Sequence, residues 1–140
     1  MERGVLAAIP HAEIDTIPMA DGGEGTLEAL VSCTNGIYKE AQAVDPHGRP
    51  IRGKCDVLGD GKTAVIEMAN VSGLLLLKKE ERNPLYTTTY GTGQLFWHAL
   101  ESGCNKLIIG IGGSSTNDCG AGMAQKFILP NLFRDLHSPT

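Results

Sequence analysis

Three times along this chain a run rich in glycine, serine, threonine, asparagine or aspartate stands before a helix-like segment: at 21–25 (DGGEG), at 87–93 (TTTYGTG) and at 112–118 (GGSSTND). The third case constrains the fold most, because KLIIGIGGSSTNDCGAGMA, residues 106 to 124, combines a short apolar strand, a loop of small polar residues and a run of small helix formers. The strand needs a sheet to bury it, and the glycines let backbone or ligand come close. Strands alternating with helices, plus one hairpin, predict an α/β fold with a mixed sheet and glycine-rich loops at strand-to-helix junctions.

The remaining elements fit that frame. Met1 to Pro10 reads as the last turns of a helix, with Val5, Leu6 and Ile9 at helical spacing before Pro10 stops it. Ile14 and Ile17 predict a short strand leading into the first loop, and TLEALVSC continues as a helix through Leu27, Leu30 and Val31. Extended stretches at 37–44 and 51–58, separated by DPHGRP, predict a hairpin with one wet face, since Ile51, Cys55 and Val57 alternate with Arg52, Lys54 and Asp56. A buried strand follows at 63–68, then a helix over 93–102 capped by Gly103, a strand over 106–111 and a helix over 117–126.

Composition matters where it limits function. Glycine supplies 18 of 140 residues, well above the usual ~7%, and the excess sits in the loops, as backbone that approaches a ligand would require. At this length folding buries roughly 68–70% of the unfolded chain's surface, so a real core forms without staples. A net charge of −4, with the basic pair Lys78 and Lys79 cancelled by Glu80 and Glu81, gives no footprint for nucleic acid. No apolar run approaches the ~18–20 residues of a membrane span, and no secretory signal is read at the N-terminus. Cys33, Cys55, Cys104 and Cys119 form no C-x-x-C pair, which argues against zinc and for free thiols in a reducing cytoplasm.

Each loop offers backbone N–H groups at a helix N-terminus, where an anion is the natural guest and phosphate the leading candidate. In the third loop Gly112 and Gly113 allow close approach, and Ser114, Ser115 and Thr116 add hydroxyl donors; simple helix capping by the same residues is the alternative. Familiar patterns fail. GIGGSSTND lacks the lysine of a Walker A loop, places Ser115 where the dinucleotide motif needs its third glycine, and has Thr116 where a nucleophile elbow needs glycine. Acidic residues complete the picture: Asp21 and Glu24 in the first loop, Asp118 closing the third, and Glu67 inside the apolar strand AVIEMA. Glu67 needs a partner if buried; the alternative to a ligand role is an ion pair with an arginine such as Arg82, or simply a strand-end position. Phosphate loops with carboxylates that hold Mg²⁺ or accept a hydroxyl proton describe a phosphoryl-transfer site. Asp21, Glu24 and Asp118 are the catalytic candidates on this reading.

MADGGEGT, AVIEMANVSGL, RNPLYTTTYGTGQL and IIGIGGSSTNDCGAGMAQ, in this order and spacing, resemble the signature blocks of the bacterial glycerate kinase family. The resemblance implies phosphorylation of D-glycerate at its 2-position with ATP and Mg²⁺, in an α/β fold of more than one lobe. It marks Gly22, Gly23, Gly25 and Thr26; Glu67; Thr87, Thr88, Thr89, Gly91, Thr92 and Gly93; and Gly112, Gly113, Ser114, Ser115, Thr116 and Asn117 as binding residues, with no assignment between substrate and nucleotide and none to the metal. Cys119 and Ser115 stand where the family pattern more often has glycine and alanine, so a left-handed backbone at 119 would be strained. Family members are more than twice this length and open with a strand and a phosphate loop whose serine and lysine are absent here. After Gln125 the text ceases to resemble the family, so the expected organisation is a partial kinase domain over 1–125 and a divergent tail over 126–140. A truncated remnant that binds phosphate without catalysis is the alternative, and exposed strand edges predict self-association or a homo-oligomer.

Overall fold

The computed structural model describes residues 1–127. Helix α1 (Glu2–Ala8) buries none of its residues. Helix α2 (Thr26–Thr34) follows the first glycine loop and buries Leu27 and Val31. Strands β1 (Glu40–Val44) and β2 (Pro50–Lys54) pair antiparallel, with Ala43 opposite Ile51. β2 passes through Cys55 into the short β3 (Asp56–Val57), which belongs to a second sheet. That sheet has the order β3-β4-β5: β4 (Thr63–Glu67) is antiparallel to β3 and parallel to β5 (Lys106–Gly110). Helix α3 (Ala69–Ser72) is one turn, α4 (Tyr90–Glu101) is the longest helix among the described residues, and residues 121–127 form α5.

β4 is the spine, with all five residues buried. Alternation decides its neighbours: Val65 joins Leu27 and Val31 of α2, while Ala64 and Ile66 join Val71, Leu95 and Phe96 on the opposite face. Burying each such aliphatic or aromatic side chain stabilises the fold by about 1.5–3 kcal/mol. The hairpin β1–β2 closes over the α3–α4 side, where Gly53 leaves room for Val71 and Leu95. The second edge of β5 pairs with no strand among the described residues, and Ile108, Ile109 and Ile111 are exposed there.

Several sequence expectations change in detail. The strand expected around Ile14–Ile17 is irregular chain, with Ile17 exposed and no neighbouring strand among the described residues to bond it. The single hairpin is split between two sheets, and only the isolated bridge of Ile37 to Val57 extends it. α4 starts at Tyr90 rather than 93, because Gly91 and Gly93 are packed helix positions: a Cβ on Gly93 would lie 2.6 Å from the Met123 carbonyl oxygen. α5 starts at 121 rather than 117, since Cys119 (φ 52°) and Gly120 (φ 74°) are left-handed. Most of the tail expected over 126–140 lies outside the described residues; Phe127 itself packs edge-on to Phe96 at 5.8 Å. All four cysteines are free, and burial pushes the Cys55 thiol up to about 11.

Candidate active site

The three loops expected to bind ligand converge on the end of the β4–β5 pair. The first and third are held together by backbone alone. Gly112 N–H donates to the Gly22 carbonyl at 2.9 Å, and side chains are excluded from the junction: a Cβ on Gly110 would sit 2.7 Å from the Gly22 oxygen, and one on Gly112 2.7 Å from Gly23 Cα. These glycines are therefore required by the approach of one loop to the other.

The first loop turns at Gly22 (φ 94°) and Gly25 (φ 89°), and Gly22 N–H donates to the Thr26 hydroxyl at 3.0 Å. Among the described residues Asp21 accepts the N–H of Gly23 alone, at 3.1 Å, and both Asp21 and Glu24 are exposed on one shallow cavity wall. Behind them Glu67 is buried. It accepts the N–H of Leu27 in the first turn of α2 at 2.8 Å and the Nδ2 of Asn70 at 2.8 Å. The arginine alternative for Glu67 is excluded by geometry, since Arg82 is exposed and donates to the Leu77 carbonyl. A cavity of about 300 Å³ opens here between Glu24, Glu28, Lys54, Glu67 and Asn70.

The second loop is tied into the third at two points. The buried Thr87 hydroxyl donates to the Ser115 carbonyl at 2.9 Å. Thr89 donates to Asp118 from its N–H at 2.9 Å and from its hydroxyl at 2.8 Å, while Thr88 turns inward to accept the N–H of Tyr90. Asp118 also accepts the N–H groups of Gly120 and Gly122, each at 3.1 Å. Burial opposes the Asp118 charge, but the N–H and hydroxyl of Thr89 and the N–H groups of Gly122 and Gly120 outweigh it and hold the carboxyl below its ordinary value. Asp118 thus shapes the loop and the start of α5.

Within the third loop the hydroxyls divide. Ser115 is buried and gives both its N–H and its hydroxyl to the Ser72 carbonyl, while the Ser72 hydroxyl meets the buried Thr92 hydroxyl at 2.9 Å. Ser114 is exposed, 2.9 Å from the Thr116 hydroxyl, and Asn117 is exposed beside them. Gly113 (φ 72°) gives its carbonyl to Leu74 N–H, so the loop is braced from beneath. Next to it lies a cavity of about 340 Å³, walled by Met68, Ile109 and Met123 and rimmed by Ser114, Thr116 and Asn117.

Of the residues marked from sequence, the loops bring together Gly22, Gly23, Gly112, Gly113, Ser114, Thr116 and Asn117, with Asp21 and Glu24 at the margin. Gly91 and Gly93 lie in α4 against Val44 and Met123, and Ser115 is committed to Ser72. Ser72 and Asn70, which hold these loops, were not singled out. Their signal was their polarity within MANVSGL, between an apolar strand and an apolar run.

The model of the glycerate kinase family matches residues 1–132. A glycerate kinase of Bacillus subtilis (strain 168) is 54% identical over 125 residues, 89% of this chain and 33% of that protein. The glycerate 2-kinase of Escherichia coli (strain K12) is 50% identical over the same length and covers the same shares. A crystal structure assigned as glycerate kinase 2, from Salmonella typhimurium LT2, superposes with a TM-score of 0.76 at 46% identity over 89% of this chain and 34% of the other. The chain spans about a third of the length of the relatives it matches. Matching family model, sequence and fold together show that this chain belongs to the glycerate kinase family.

Proposed function

We propose that this chain supplies the phosphate-holding loops of an ATP-dependent kinase that phosphorylates D-glycerate to 2-phosphoglycerate. The observation that carries the reading is the backbone contact of Gly110 and Gly112 with Gly22 and Gly23, which brings the first loop, the bearer of the carboxylates, against the third, the bearer of the hydroxyls. An anion and the charge that balances it are thereby given adjoining places, as phosphoryl transfer requires.

On this reading the exposed Ser114 and Asn117, the half-buried Thr116 and the backbone at Gly113 receive phosphate oxygens from ATP. Mg²⁺ keeps most of its waters and takes one or two carboxylates plus phosphate, and Asp21 and Glu24 fit that requirement: both are exposed, and neither is neutralised by an ion pair among the described residues. When bound, the metal neutralises charge on the transferred group. Whichever of Asp21 and Glu24 does not hold the metal accepts the glycerate hydroxyl proton, while Asp118, already holding four donor contacts from three residues, keeps the loop in shape. The setting is cytoplasmic, consistent with four free thiols. The exposed edge of β5 is the place where a second chain would add, by strand pairing.

A second reading, a phosphate-binding module without turnover, is favoured by one observation: among the described residues no lysine or arginine lines the cavity beside loop 112–118. Turnover needs fixed cations around the transferred group, and losing one costs ~10³-fold or more. A coupled ADP-release assay with D-glycerate, ATP and Mg²⁺ on monodisperse protein separates the readings. Turnover of ~1–100 s⁻¹ establishes the kinase. Binding of phosphate without turnover, seen as shifts of the Gly113 to Thr116 amides that Gly113→Val abolishes, establishes the module; no shift removes both.

A further inference from the structure

The hairpin turn between β1 and β2, residues 45–49, looks like a simple connector in the sequence, yet it is heavily hydrogen-bonded to itself and to segment 81–88. Asp45 is buried and accepts the N–H groups of His47 and Arg49, each at 2.9 Å, and the Nε of Arg49. The same guanidinium reaches across to Glu81 at 2.8 Å, in the short 3₁₀ turn Lys79–Glu81. His47 Nε2 lies 3.1 Å from the Glu81 carbonyl oxygen. Further along, the Pro46 carbonyl accepts the N–H of Thr88 at 3.0 Å.

These bonds leave the turn at both ends of the segment 81–88, and Thr88 stands next to Thr89, whose N–H and hydroxyl hold Asp118. Thr89 Oγ1 also accepts the N–H of Met123 in α5. The path is continuous: Arg49 to Glu81, Pro46 to Thr88, Thr89 to Asp118, and Asp118 to Gly120 and Gly122. A bidentate guanidinium fixes direction as well as distance, which a lysine ammonium cannot do.

We propose that the 45–49 turn positions the phosphate-binding loop, with Arg49 as the positioning residue that pins segment 81–88 and, through Thr89, the Asp118 corner of loop 112–118. Its effect on ligand affinity rests on the phosphate-loop reading given above; its effect on the loop itself does not. Arg49 touches no ligand in this account. It acts by keeping Thr88 and Thr89 where Asp118 can be held.

The test uses the ¹⁵N-labelled 140-residue chain, with amide hydrogen exchange and a titration with inorganic phosphate. In Arg49→Met, exchange at Thr88, Gly120 and Gly122 should rise about tenfold, as local opening without global unfolding, while Val65 and Ile66 in β4 stay protected. The phosphate dissociation constant should rise about three- to tenfold, roughly the coupling expected of a positioning network. Arg49→Lys should recover only part of each effect, and Glu81→Gln added to Arg49→Met should change little further, because both act through one contact. Exchange changes confined to residues 45–49 and 79–81 would overturn the proposal. So would a uniform rise across the chain in both Arg49 variants, since that is loss of stability and not of position. If the unsubstituted chain binds no phosphate, the proposed function fails at that point, and the exchange pattern at Gly120 and Gly122 still decides the positioning claim.

Discussion

Asp21 and Asp118 occupy the same kind of sequence, an acid beside glycines at the mouth of a helix, and the structure gives them opposite circumstances. Asp21 is exposed with one backbone donor. Asp118 is partly buried and takes donors from Thr89, Gly120 and Gly122. An acid that already holds several donors is a cornerstone of the fold, and one that holds almost none is available to a ligand. The contrast teaches that donor count, which sequence does not display, separates the two roles.

The largest expected effect comes from removing the cornerstone. Asp118→Ala should destabilise the chain by about 2–3 kcal/mol, the combined scale of a lost N-cap and charge-assisted hydrogen bonds, measured by urea unfolding. The pH dependence follows from the lowered carboxyl: its stabilisation is complete above the ordinary carboxylate pKa and is lost as pH falls through the lower folded value. Asp118→Ala should therefore flatten the acid limb of stability, and an unchanged limb would show that the carboxylate does not hold the corner.

Next to Asp118, Cys119 carries a left-handed backbone at φ 52°. Cys119→Gly should raise stability by about 0.5–1 kcal/mol, because strain relief exceeds the extra unfolded-state entropy of glycine; a lower melting temperature would contradict this. A third aspartate stretches the comparison further. Asp56 is buried, accepts Lys39 N–H at 2.7 Å through Oδ1, and leaves Oδ2 without a partner among the described residues. Burial raises its pKa, so its charge costs stability increasingly as pH rises from the unfolded pKa through the folded one. Asp56→Asn should gain about 0.5 kcal/mol at pH 7, on the scale of relieving a poorly paired buried acid, and nothing at pH 3. The smallest effect belongs to Asp21. Asp21→Asn should move stability by less than about 0.5 kcal/mol, as surface changes do, while weakening Mg²⁺-dependent nucleotide binding. If calorimetry shows metal-dependent binding unchanged, Asp21 is only a turn residue.

The glycine loops and the alternating strand-helix order were legible because glycine, threonine and apolar runs act locally. Glu67 was legible as a buried acid since its neighbours Ile66 and Val65 are apolar. Its actual partners, Leu27 N–H and Asn70, lie where only the packed fold brings them. Gly91 and Gly93 misled in the other direction. Glycine is a loop signal, and nothing local announces that Val44 and Met123 will press against a helix there. The start of α5 was misplaced for a related reason: Asp118 looks like a cap at either register, and the left-handed turn at Cys119 is paid for by contacts to Thr89 that lie far away in sequence.

The parallel pairing of β4 with β5 joins residues far apart in sequence, and loop-closure entropy favours its forming late. The β1–β2 hairpin joins neighbours and closes fast, whereas Thr63 cannot meet Lys106 until everything between them has been made and gathered. The approach of Gly110 and Gly112 to Gly22 and Gly23 depends on that late pairing. On loop-closure entropy alone, the candidate ligand site is therefore expected to form after the hairpin.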